Sequence, residues 1–553
     1  MSTGAAHTRA RYWPPEVART LDVPQRSLWS NLQAAARRHA DKPAIVFGDS
    51  VLRYGELLAR TERLAGWLQQ AAGVRRGDRV LLFAQNSPAF STAYYAVLRA
   101  DAMVVPVNAM STADELAWLA DNSGAAVAIV GPEMAERARA CPALRAVLVI
   151  AVDGDAPAEP FADARCTAWD QALAAGLAPA PHAAGPDDLC VLPYTSGTTG
   201  KPKGCRHSHR TMQSSLSASV VWRDLQADEV LLAVAPMFHL LGMQNGLNLP
   251  ILLGATVVML PRWDRAAAAR LIPQHRVTFW AAPPTMVVDF FAQPGIEQVD
   301  LSSLRRLVGG GAAMPEAVAA QLKSRCGIVY NEAYGMTETA SFLHCNPVGR
   351  EKPQCLGVPS HNVDSRVVDP QTLQELPPGE VGELVTHAPQ IMLGYWGGAP
   401  DQVSPADELA FTTLPGEPGG KRFFRTGDLC SVDEEGYFFM RDRLKRMINA
   451  SGFKVWPAEV ENLLYAHPSI HEACVIATPD ARAGEAVKAV VVLKPEAVGT
   501  LQPADIVAWA RTQMAVYKAP RSVQFVDSLP KSGTGKILWR ELQAAETSPG
   551  DRS

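Results

Sequence analysis

The stretch YTSGTTGKPKG, residues 194–204, directly follows an apolar run that begins at Leu189 and holds four small hydroxyl residues, three glycines and two lysines. Glycines let the backbone approach an anion closely, and consecutive N–H groups form an anion-binding nest. Hydroxyls add donors, and Lys201 and Lys203 add positive charge. The stretch therefore predicts a phosphate-binding loop after a strand. It is not a Walker A loop, because Pro202 occupies the position that needs Ser or Thr.

Outward from this loop, short apolar runs alternate with helical patterns such as 57–70 and 91–98. Alternation of this kind indicates a mostly parallel α/β sheet, whose ligands bind at the carboxyl ends of the strands. The stretch 153–188 is rich in Ala, Pro and Gly, which predicts a loop with one short helix. The predicted strands are 79–83, 103–107, 189–194, 230–235, 256–260, 277–280, 304–308 and 328–330.

The C-terminal part has a different pattern, in which helices at 457–466 and 503–513 alternate with strands at 473–476, 486–493 and 522–526. This pattern indicates a small α+β unit. The fold class we expect is α/β: a large composite N-terminal domain with mostly parallel sheets, plus a small mobile α+β C-terminal domain. A charged segment between them is typical of a linker. The expected boundaries are 1–442 for the large domain, 443–446 for a hinge and 447–553 for the small domain.

The composition of the 553 residues excludes several classes of protein. Lys and Arg number 52 against 56 Asp and Glu, and the net charge of -4 argues against nonspecific nucleic-acid binding. No apolar run approaches the roughly 18–20 residues of a membrane helix, and the N-terminus lacks the apolar core of a secretory signal. The nine cysteines form no CxxC pair and show no zinc-ligand spacing. We therefore expect a cytoplasmic protein with reduced thiols.

Four further segments accompany the 194–204 loop: YGMTET at 334–339, FRTGDLC at 424–430, DRLKRMINASGFKVWPAEVE at 442–461 and LPKSGTGKI at 529–537. In this order the five segments resemble the signatures of the adenylate-forming (AMP-binding) superfamily. That superfamily includes acyl-CoA synthetases, adenylation domains of peptide synthetases and luciferases. The resemblance covers roughly residues 27–539.

The resemblance implies a role for each matched residue. Tyr334 stacks on adenine, Thr337 contacts the α-phosphate region and Glu338 holds Mg²⁺, a hard cation that suits a carboxylate. Asp428 accepts hydrogen bonds from both ribose hydroxyls, which its two oxygens permit, and Arg443 reaches the ribose or the phosphates. The other cofactor-binding residues so implied are Thr195, Ser196, Gly197, Thr198, Thr199, Gly200, Lys201, Gly310, Gly311, Ala312 and Lys454.

The resemblance also implies a two-step mechanism in which the small domain moves. Lys536 assists attack of the substrate carboxylate on the α-phosphate, with His239, Thr337 and Glu338 as the other catalytic residues. The small domain then swings about the hinge, where Lys445 stands and other family members often carry Asp. The movement removes Lys536 and presents coenzyme A. Lys454 and Arg446 lie close enough in sequence to meet its phosphates, although exposed basic residues are usually only solvated.

The family places the acyl pocket behind residues 236–242, 309–315 and 331–333. His239 would border the substrate carboxylate; the alternative is a structural histidine in the core. The glycines at 309–311 would let backbone approach adenine or leave an acyl channel open. The segments 240–253 and 280–287 are mainly apolar, although most of their side chains also suit a core. Apolar segments of this kind favour a hydrophobic acid without a charged tail.

We therefore expect an AMP-forming acyl-CoA synthetase, a ligase of fatty-acid and lipid metabolism that uses ATP, Mg²⁺ and coenzyme A. A medium- or long-chain fatty acid is the first choice, and an aryl or alicyclic acid the alternative. A stand-alone enzyme that loads a carrier protein, a luciferase-type oxygenase and a binding module without turnover are the rivals. An amino-acid substrate is disfavoured because His239, not an acid, follows Phe238. A homodimer is possible, without an interface signal.

Overall fold

The computed structural model describes residues 13, 17, 18, 20–151, 163–195, 202–310, 314, 316–402, 404–450, 453–480, 484–531 and 537–547. The chain forms two units. The larger unit takes in residues 1–364, 387–413 and 421–424, and the smaller one takes in 365–386, 414–420 and 425–553. The expected division at residue 442 and the hinge at 443–446 stay predictions.

A nine-stranded sheet in the larger unit has six parallel strands at its centre. Apolar runs such as VLLA and TVVM are largely buried in it, as in parallel strands that are covered on both faces. Its strand order is Val358–Pro359, His344–Cys345, Tyr330–Tyr334, Arg306–Gly309, Phe279–Ala281, Val230–Ala233, Thr256–Met259, Pro43–Phe47 and Ser50–Arg53.

A second sheet of the larger unit has seven strands, and only its edge strand His207–Ser208 is antiparallel. This edge strand pairs with Leu189–Val191, the apolar run before the phosphate-loop segment. The strand order is His207–Ser208, Leu189–Val191, Met103–Pro106, Arg79–Phe83, Val127–Val130, Ala146–Val149 and Cys166–Ala168.

Helices connect these strands, and local capping residues set several of their ends. Ser87 Oγ accepts a hydrogen bond from the Phe90 N–H, and Pro88 takes the first helical position after this cap. A π-helical turn, Met243–Asn248, stands between two short α-helices. The α-helices are Trp29–His39, Tyr54–Gln70, Pro88–Arg99, Ala113–Ser123, Ala135–Arg139, Trp169–Ala174, His209–Trp222, Leu240–Gly242, Leu249–Leu253, Arg265–Gln274, Pro284–Phe291, Glu316–Cys326 and Asp407–Ala410.

In the smaller unit, the C-terminal region is a mixed sheet with helices. The long hairpin Ile470–Asp480 and Gly484–Leu493 is its centre, and Ser522–Phe525 adds a parallel strand. The remaining elements of this region are the strands Ile448–Ala450 and Phe453–Val455 and the helices Pro457–Leu464, Pro503–Gln513 and Trp539–Thr547. The earlier strands that lie at least partly in the smaller unit are Asp364–Val368, Gly382–His387, Arg422–Val432 and Phe438–Arg443. The strand Phe411–Thr413 belongs to the larger unit.

This architecture confirms the expected fold class, with mostly parallel sheets before a small α+β region. The helix expected at 57–70 begins at Tyr54, and the helix expected at 91–98 begins at Pro88 because of the Ser87 cap. The described part of 153–188 contains the expected short helix, Trp169–Ala174, and also a short strand.

Two further features bear on the sequence analysis. None of the described helices is both long and apolar enough to cross a bilayer. All nine cysteines lie within the described residues as free thiols, and none of them is exposed. Seven are buried, and Cys166 and Cys326 are half-buried.

Candidate active site

The two ends of the phosphate-loop segment pair as short antiparallel strands, Tyr194–Thr195 and Lys203–Gly204. Thr195 lies opposite Lys203, and Tyr194 lies opposite Gly204. The Tyr194 hydroxyl donates to Asn122 Oδ1 at 2.7 Å, which fixes one end of the segment. The other loop residues that we singled out lie outside the described residues: Ser196, Gly197, Thr198, Thr199, Gly200 and Lys201.

A strap formed by Leu393, Gly394, Tyr395 and Trp396 holds the residues after the loop. The Trp396 N–H donates to the Gly204 carbonyl at 2.7 Å, and the Leu393 N–H donates to the carbonyl of Arg206 at 2.9 Å. A Cβ on Gly204 would lie 3.2 Å from Trp396 Cβ, so a larger residue would push the strap away. The strap has no signal in the sequence, because its residues carry no charge and belong to none of the five motifs.

Thr337 and Glu338 lie in a 3₁₀ turn that follows strand Tyr330–Tyr334. His207, which is fully buried, contacts the Thr337 carbonyl through Nε2 at 2.7 Å. Burial lowers the pKa of His207 to about 4. The ring is therefore neutral near pH 7, and its Nε2–H donates to this carbonyl. His207 thus ties the turn to the sheet edge that follows the phosphate-loop segment.

Glu338 is buried, and its Oε1 accepts a hydrogen bond from the Tyr395 hydroxyl at 2.9 Å. Burial and the neighbouring Glu338 raise the pKa of Tyr395 far above its ordinary value, so the phenol keeps its proton and donates. A carboxylate oriented in this way fits Mg²⁺, which is typically bound by one or two carboxylates together with substrate phosphates. Among the described residues, no group of three His, Cys, Asp or Glu could hold a metal by itself.

Tyr334 is half-buried, and its ring centroid lies 5.5 Å from that of His344. Close backbone packing near Tyr334 requires glycine at two positions, Gly310 and Gly335. A Cβ on Gly310 would lie 2.0 Å from the Ala333 carbonyl oxygen, and one on Gly335 would lie 1.4 Å from that of Ser341. Gly310 therefore has a packing role, in addition to the two roles expected from the sequence: approach of the backbone to adenine and an open acyl channel. Gly311 and Ala312 lie outside the described residues.

His239 is exposed, so it is not a histidine packed in the core. It precedes the helix Leu240–Gly242, and its Nδ1 accepts a hydrogen bond from the Leu241 N–H at 3.3 Å. This position follows the carboxyl end of strand Val230–Ala233, where ligands of parallel sheets bind.

The segments expected to line the acyl pocket are mostly core. Met243, Leu247 and Leu249 are buried in the main apolar cluster. Trp280 is fully buried and stacks on Trp263 at 5.7 Å. These four side chains are therefore part of the core, which was the alternative to a place in the acyl pocket.

Polar side chains of the π-helical turn form a buried network on the same segment. Asn248 Nδ2 donates to the Tyr94 hydroxyl and to Gln244 Oε1, both at 3.0 Å. Tyr95 donates to Asn248 Oδ1 at 2.9 Å. Gln244 Nε2 in turn donates to the Ala340 carbonyl at 3.3 Å, just after the 3₁₀ turn of Glu338. Satisfied networks of this kind make a protein interior rigid.

In the smaller unit, Asp428 and Arg443 lie opposite each other on paired strands. Arg443 Nε is 3.1 Å from Asp428 Oδ1, and the Asp428 side chain is only 2% exposed. A buried carboxylate beside a guanidinium offers both acceptors and a charge to a sugar or phosphate. The backbone of Lys454 pairs with Asn449, and its side chain is outside the described set. Lys536 also lies outside the described residues.

Arg446 has a structural role, and its possible use for coenzyme A stays a prediction. Its Nη2 lies 2.5 Å from Glu461 Oε1, and it also donates to the Val475 carbonyl. Asp442 Oδ2 accepts from the Ala458 N–H at 2.8 Å, at the first turn of helix Pro457–Leu464. Burial raises the pKa of both Asp442 and Glu461. These contacts join the charged segment to the C-terminal region, which sequence spacing alone did not predict.

Family models agree with this arrangement of motifs. Residues 32–396 match the model described as AMP-binding enzyme, and residues 459–536 match the one described as AMP-binding enzyme C-terminal domain. The chain belongs to the AMP-binding enzyme family. Its relatives in this family include acyl- and aryl-CoA ligases, and a fatty acid–[acyl-carrier-protein] ligase of Streptomyces coeruleorubidus is also among them. The chain is a ligase with acyl- or aryl-CoA ligase activity through an acyl-adenylate formed from ATP.

The most similar relatives differ in the acid they are named for. A feruloyl-CoA synthase of Amycolatopsis sp is 39% identical over 93% of this chain and 98% of that protein. A long-chain-fatty-acid–CoA ligase of Bacillus subtilis is 31% identical over 97% of each chain. The solved structure of the anthranilate CoA ligase AuaEII in complex with anthranoyl-AMP matches with a TM-score of 0.82 and 26% identity. That match covers 95% of this chain and 98% of the other.

Proposed function

We propose that this family member prefers an aryl acid such as ferulate, rather than the fatty acid that the sequence first favoured. In the first step the acid's carboxylate attacks the α-phosphorus of ATP, and pyrophosphate leaves. In the second step the thiolate of coenzyme A attacks the carbonyl carbon of the adenylate, and AMP leaves. Both steps depend mainly on positioning and on electrostatic stabilisation.

One observation carries the preference for a compact acid: the buried polar network of the π-helical turn. A long alkyl chain needs a continuous apolar path, whereas this part of the segment is occupied by Gln244, Asn248, Tyr94 and Tyr95. Disrupting these bonds would leave buried polar groups unsatisfied, at about 1–3 kcal/mol for each group. The feruloyl-CoA synthase at 39% identity supports the same preference.

The chain's residues take the following parts in this proposal. Mg²⁺, when bound, would neutralise charge on the phosphates, and the Glu338 carboxylate held by Tyr395 suits it. Thr337, tied to His207 through its carbonyl, faces the α-phosphate region, and Tyr334 stacks on adenine. The other residues assigned here are Thr195 to Lys201 for the phosphates, Gly310, Gly311 and Ala312 for adenine, Asp428 and Arg443 for the ribose, His239 for the substrate carboxylate, Lys454 for coenzyme A and Lys536 for adenylation.

An acid panel tests the proposal. The purified chain is incubated with ATP, Mg²⁺ and each acid, with and without coenzyme A, while pyrophosphate, AMP and thioester are measured. We expect thioester from ferulate and related aryl acids, and AMP release that requires coenzyme A. A product profile that does not change when coenzyme A is added would refute ligation to coenzyme A. It would favour loading of a carrier protein instead.

A fatty acid is the second candidate, and the 31% identity to the Bacillus subtilis ligase favours it. The same panel separates the two classes when it includes dodecanoate and hexadecanoate. A kcat/KM for either fatty acid above that for every aryl acid would overturn the aryl preference while leaving the ligase activity intact.

A further inference from the structure

Arg223, at the end of helix His209–Trp222, is a buried arginine without an acidic partner among the residues that the structure describes. It is 4% exposed, and its Nη1 donates to Ser219 Oγ at 2.7 Å and to Asn245 Oδ1 at 3.2 Å. Its Nε is buried and has no hydrogen-bond partner within the described residues. No Asp or Glu of the described chain forms an ion pair with it.

The surroundings of Arg223 leave its charge only partly compensated. The guanidinium carbon lies 4.9 Å from the ring centroid of Phe342 and 5.9 Å from that of Phe279, and such contacts stabilise a buried cation. The Cys345 side chain is within hydrogen-bond reach of the guanidinium, but burial raises the pKa of its thiol, so it offers a neutral sulfur and no negative charge near pH 7. Burial lowers the pKa of Arg223, yet guanidinium remains protonated in proteins. An isolated buried charge is costly, which makes a ligand that supplies the missing acceptor favourable.

The position of Arg223 matches the far end of a compact acid. Phe279 begins a strand that ends at Ala281, beside the strand that ends at Gly309. Two residues of strand correspond to about 7 Å at ~3.3 Å per residue. Asn245 belongs to the π-helical turn, and Phe342 follows Glu338 by four residues. The cluster therefore includes Asn245 of the acyl segment 240–253 and Phe279, which directly precedes the acyl segment 280–287. It lies about two strand residues from the strand ends where the carboxylate would lie.

We infer that Arg223 is a specificity-determining residue that binds a phenolic oxygen at the distal end of the aryl acid. This inference rests on the proposed function and adds the substituent that the site recognises. The unpaired Nε–H donates to the phenol oxygen, while the rings of Phe342 and Phe279 lie beside the guanidinium. An acid without the hydroxyl leaves this buried donor unsatisfied, so the site discriminates against it.

The test compares 4-hydroxycinnamate with cinnamate, which lacks only the phenolic oxygen. With the wild-type chain we expect kcat/KM to be roughly 10- to 100-fold higher for the hydroxylated acid, the range of a hydrogen bond to a charged group. In Arg223→Met the ratio of the two kcat/KM values falls to about 1, while the rate with cinnamate is retained. Arg223→Lys restores part of the ratio. The matched control Arg270→Met, in the helix Arg265–Gln274, keeps the wild-type ratio.

A second measurement needs no variant. The ultraviolet spectrum of 4-hydroxycinnamate bound to the wild-type chain reports the phenol's protonation, and a neighbouring guanidinium lowers the phenol pKa on the protein relative to free acid. An unshifted phenol titration, or an unchanged ratio in a folded Arg223→Met, overturns the inference. Equal wild-type rates with both acids also refute it while leaving the aryl preference standing. Turnover of fatty acids alone refutes the aryl preference itself.

Discussion

Glu338 receives its hydrogen bond from a phenol that cannot ionise near neutral pH, so its carboxylate is oriented without being neutralised. We predict that Glu338→Gln lowers the rate of adenylation by roughly 10²- to 10³-fold, the usual loss when a preorganised electrostatic contact is removed. It should also raise the Mg²⁺ concentration needed for half-maximal rate, because an amide is a weaker ligand for a hard cation. Pyrophosphate release over a Mg²⁺ titration measures both effects.

Tyr395→Phe is the matched control, since it removes the hydrogen bond and leaves the carboxylate. We expect about a tenfold loss at most, in keeping with one hydrogen bond to a charged group. If Glu338→Gln and wild type need the same Mg²⁺ concentration, Glu338 is not the residue that holds the metal.

Lys536 is assigned to the first half-reaction only, on the resemblance of residues 529–537 to the family motif. We predict that Lys536→Ala abolishes pyrophosphate release from acid and ATP but leaves thioester formation from supplied acyl-adenylate largely intact. Lys531→Ala serves as a control on the same segment, because its Nζ already forms an ion pair with Glu472 at 2.5 Å. Equal loss of both half-reactions in Lys536→Ala would contradict the assignment.

At the scale of elements, the turn after strand Tyr330–Tyr334 depends on backbone packing at Gly335. A Cβ there would lie 1.4 Å from the Ser341 carbonyl oxygen, a backbone atom that no side-chain rotation can move. We predict that Gly335→Ala lowers the free energy of unfolding by about 1–3 kcal/mol or more, the range for overpacking. It should also lower the adenylation rate, since Thr337 and Glu338 follow directly.

Gly185→Ala is the comparison for this prediction, because a Cβ at Gly185 would meet its nearest atom at an ordinary 3.8 Å. Denaturant unfolding of both variants measures the difference, and the Gly185 variant should stay within about 0.5 kcal/mol of wild type. Equal stability of the two variants would show that the turn can relax around an added methyl group.

The sequence predicted helices and strands where the residues that signal them are close together in the chain. The strand before Tyr194 and the helix that begins at Pro457 were predicted correctly. In each case the residues that signal the element lie within a few positions of one another. The strap at Leu393 to Trp396 was missed because its role comes from pairing with residues about 190 positions earlier. Within the apolar segment 240–253, a π-helical turn stands between two short α-helices. The spacing of hydrophobic residues does not distinguish a π-helical turn from an α-helical one.

The same limit applies to the site. Motif residues such as Glu338 and Asp428 could be singled out by their chemistry and their surroundings in sequence. His207 and Arg223 could not, because a single histidine or arginine has no local signature of burial in the sequence. Their importance follows from which distant groups surround them, the Thr337 carbonyl in one case and Asn245 in the other.

For the whole molecule, two buried histidines couple stability to pH. Burial lowers the pKa of His207 to about 4 and that of His209 to about 3, against an unfolded value near 6.5. As the pH falls below 6.5, the unfolded chain binds protons that the folded chain does not, so stability is lost. Between pH 7.5 and pH 5 we predict a loss of about 2 kcal/mol for each histidine.

Denaturant unfolding at the two pH values measures this loss. His207→Gln should remove about half of the histidine contribution, since glutamine can still donate to the Thr337 carbonyl and does not titrate. A variant whose stability changes with pH as steeply as that of wild type would contradict the assignment to His207.

The burial of the thiols has a practical consequence for following the movement expected between the two half-reactions. Because none of the nine cysteines is exposed, a maleimide dye should react slowly with the native chain. One cysteine introduced on the surface of each unit, for example at Arg270 and at Glu496, would then accept dyes selectively. Energy transfer between the two dyes would report, in real time, whether adenylate formation changes the distance between the labelled positions.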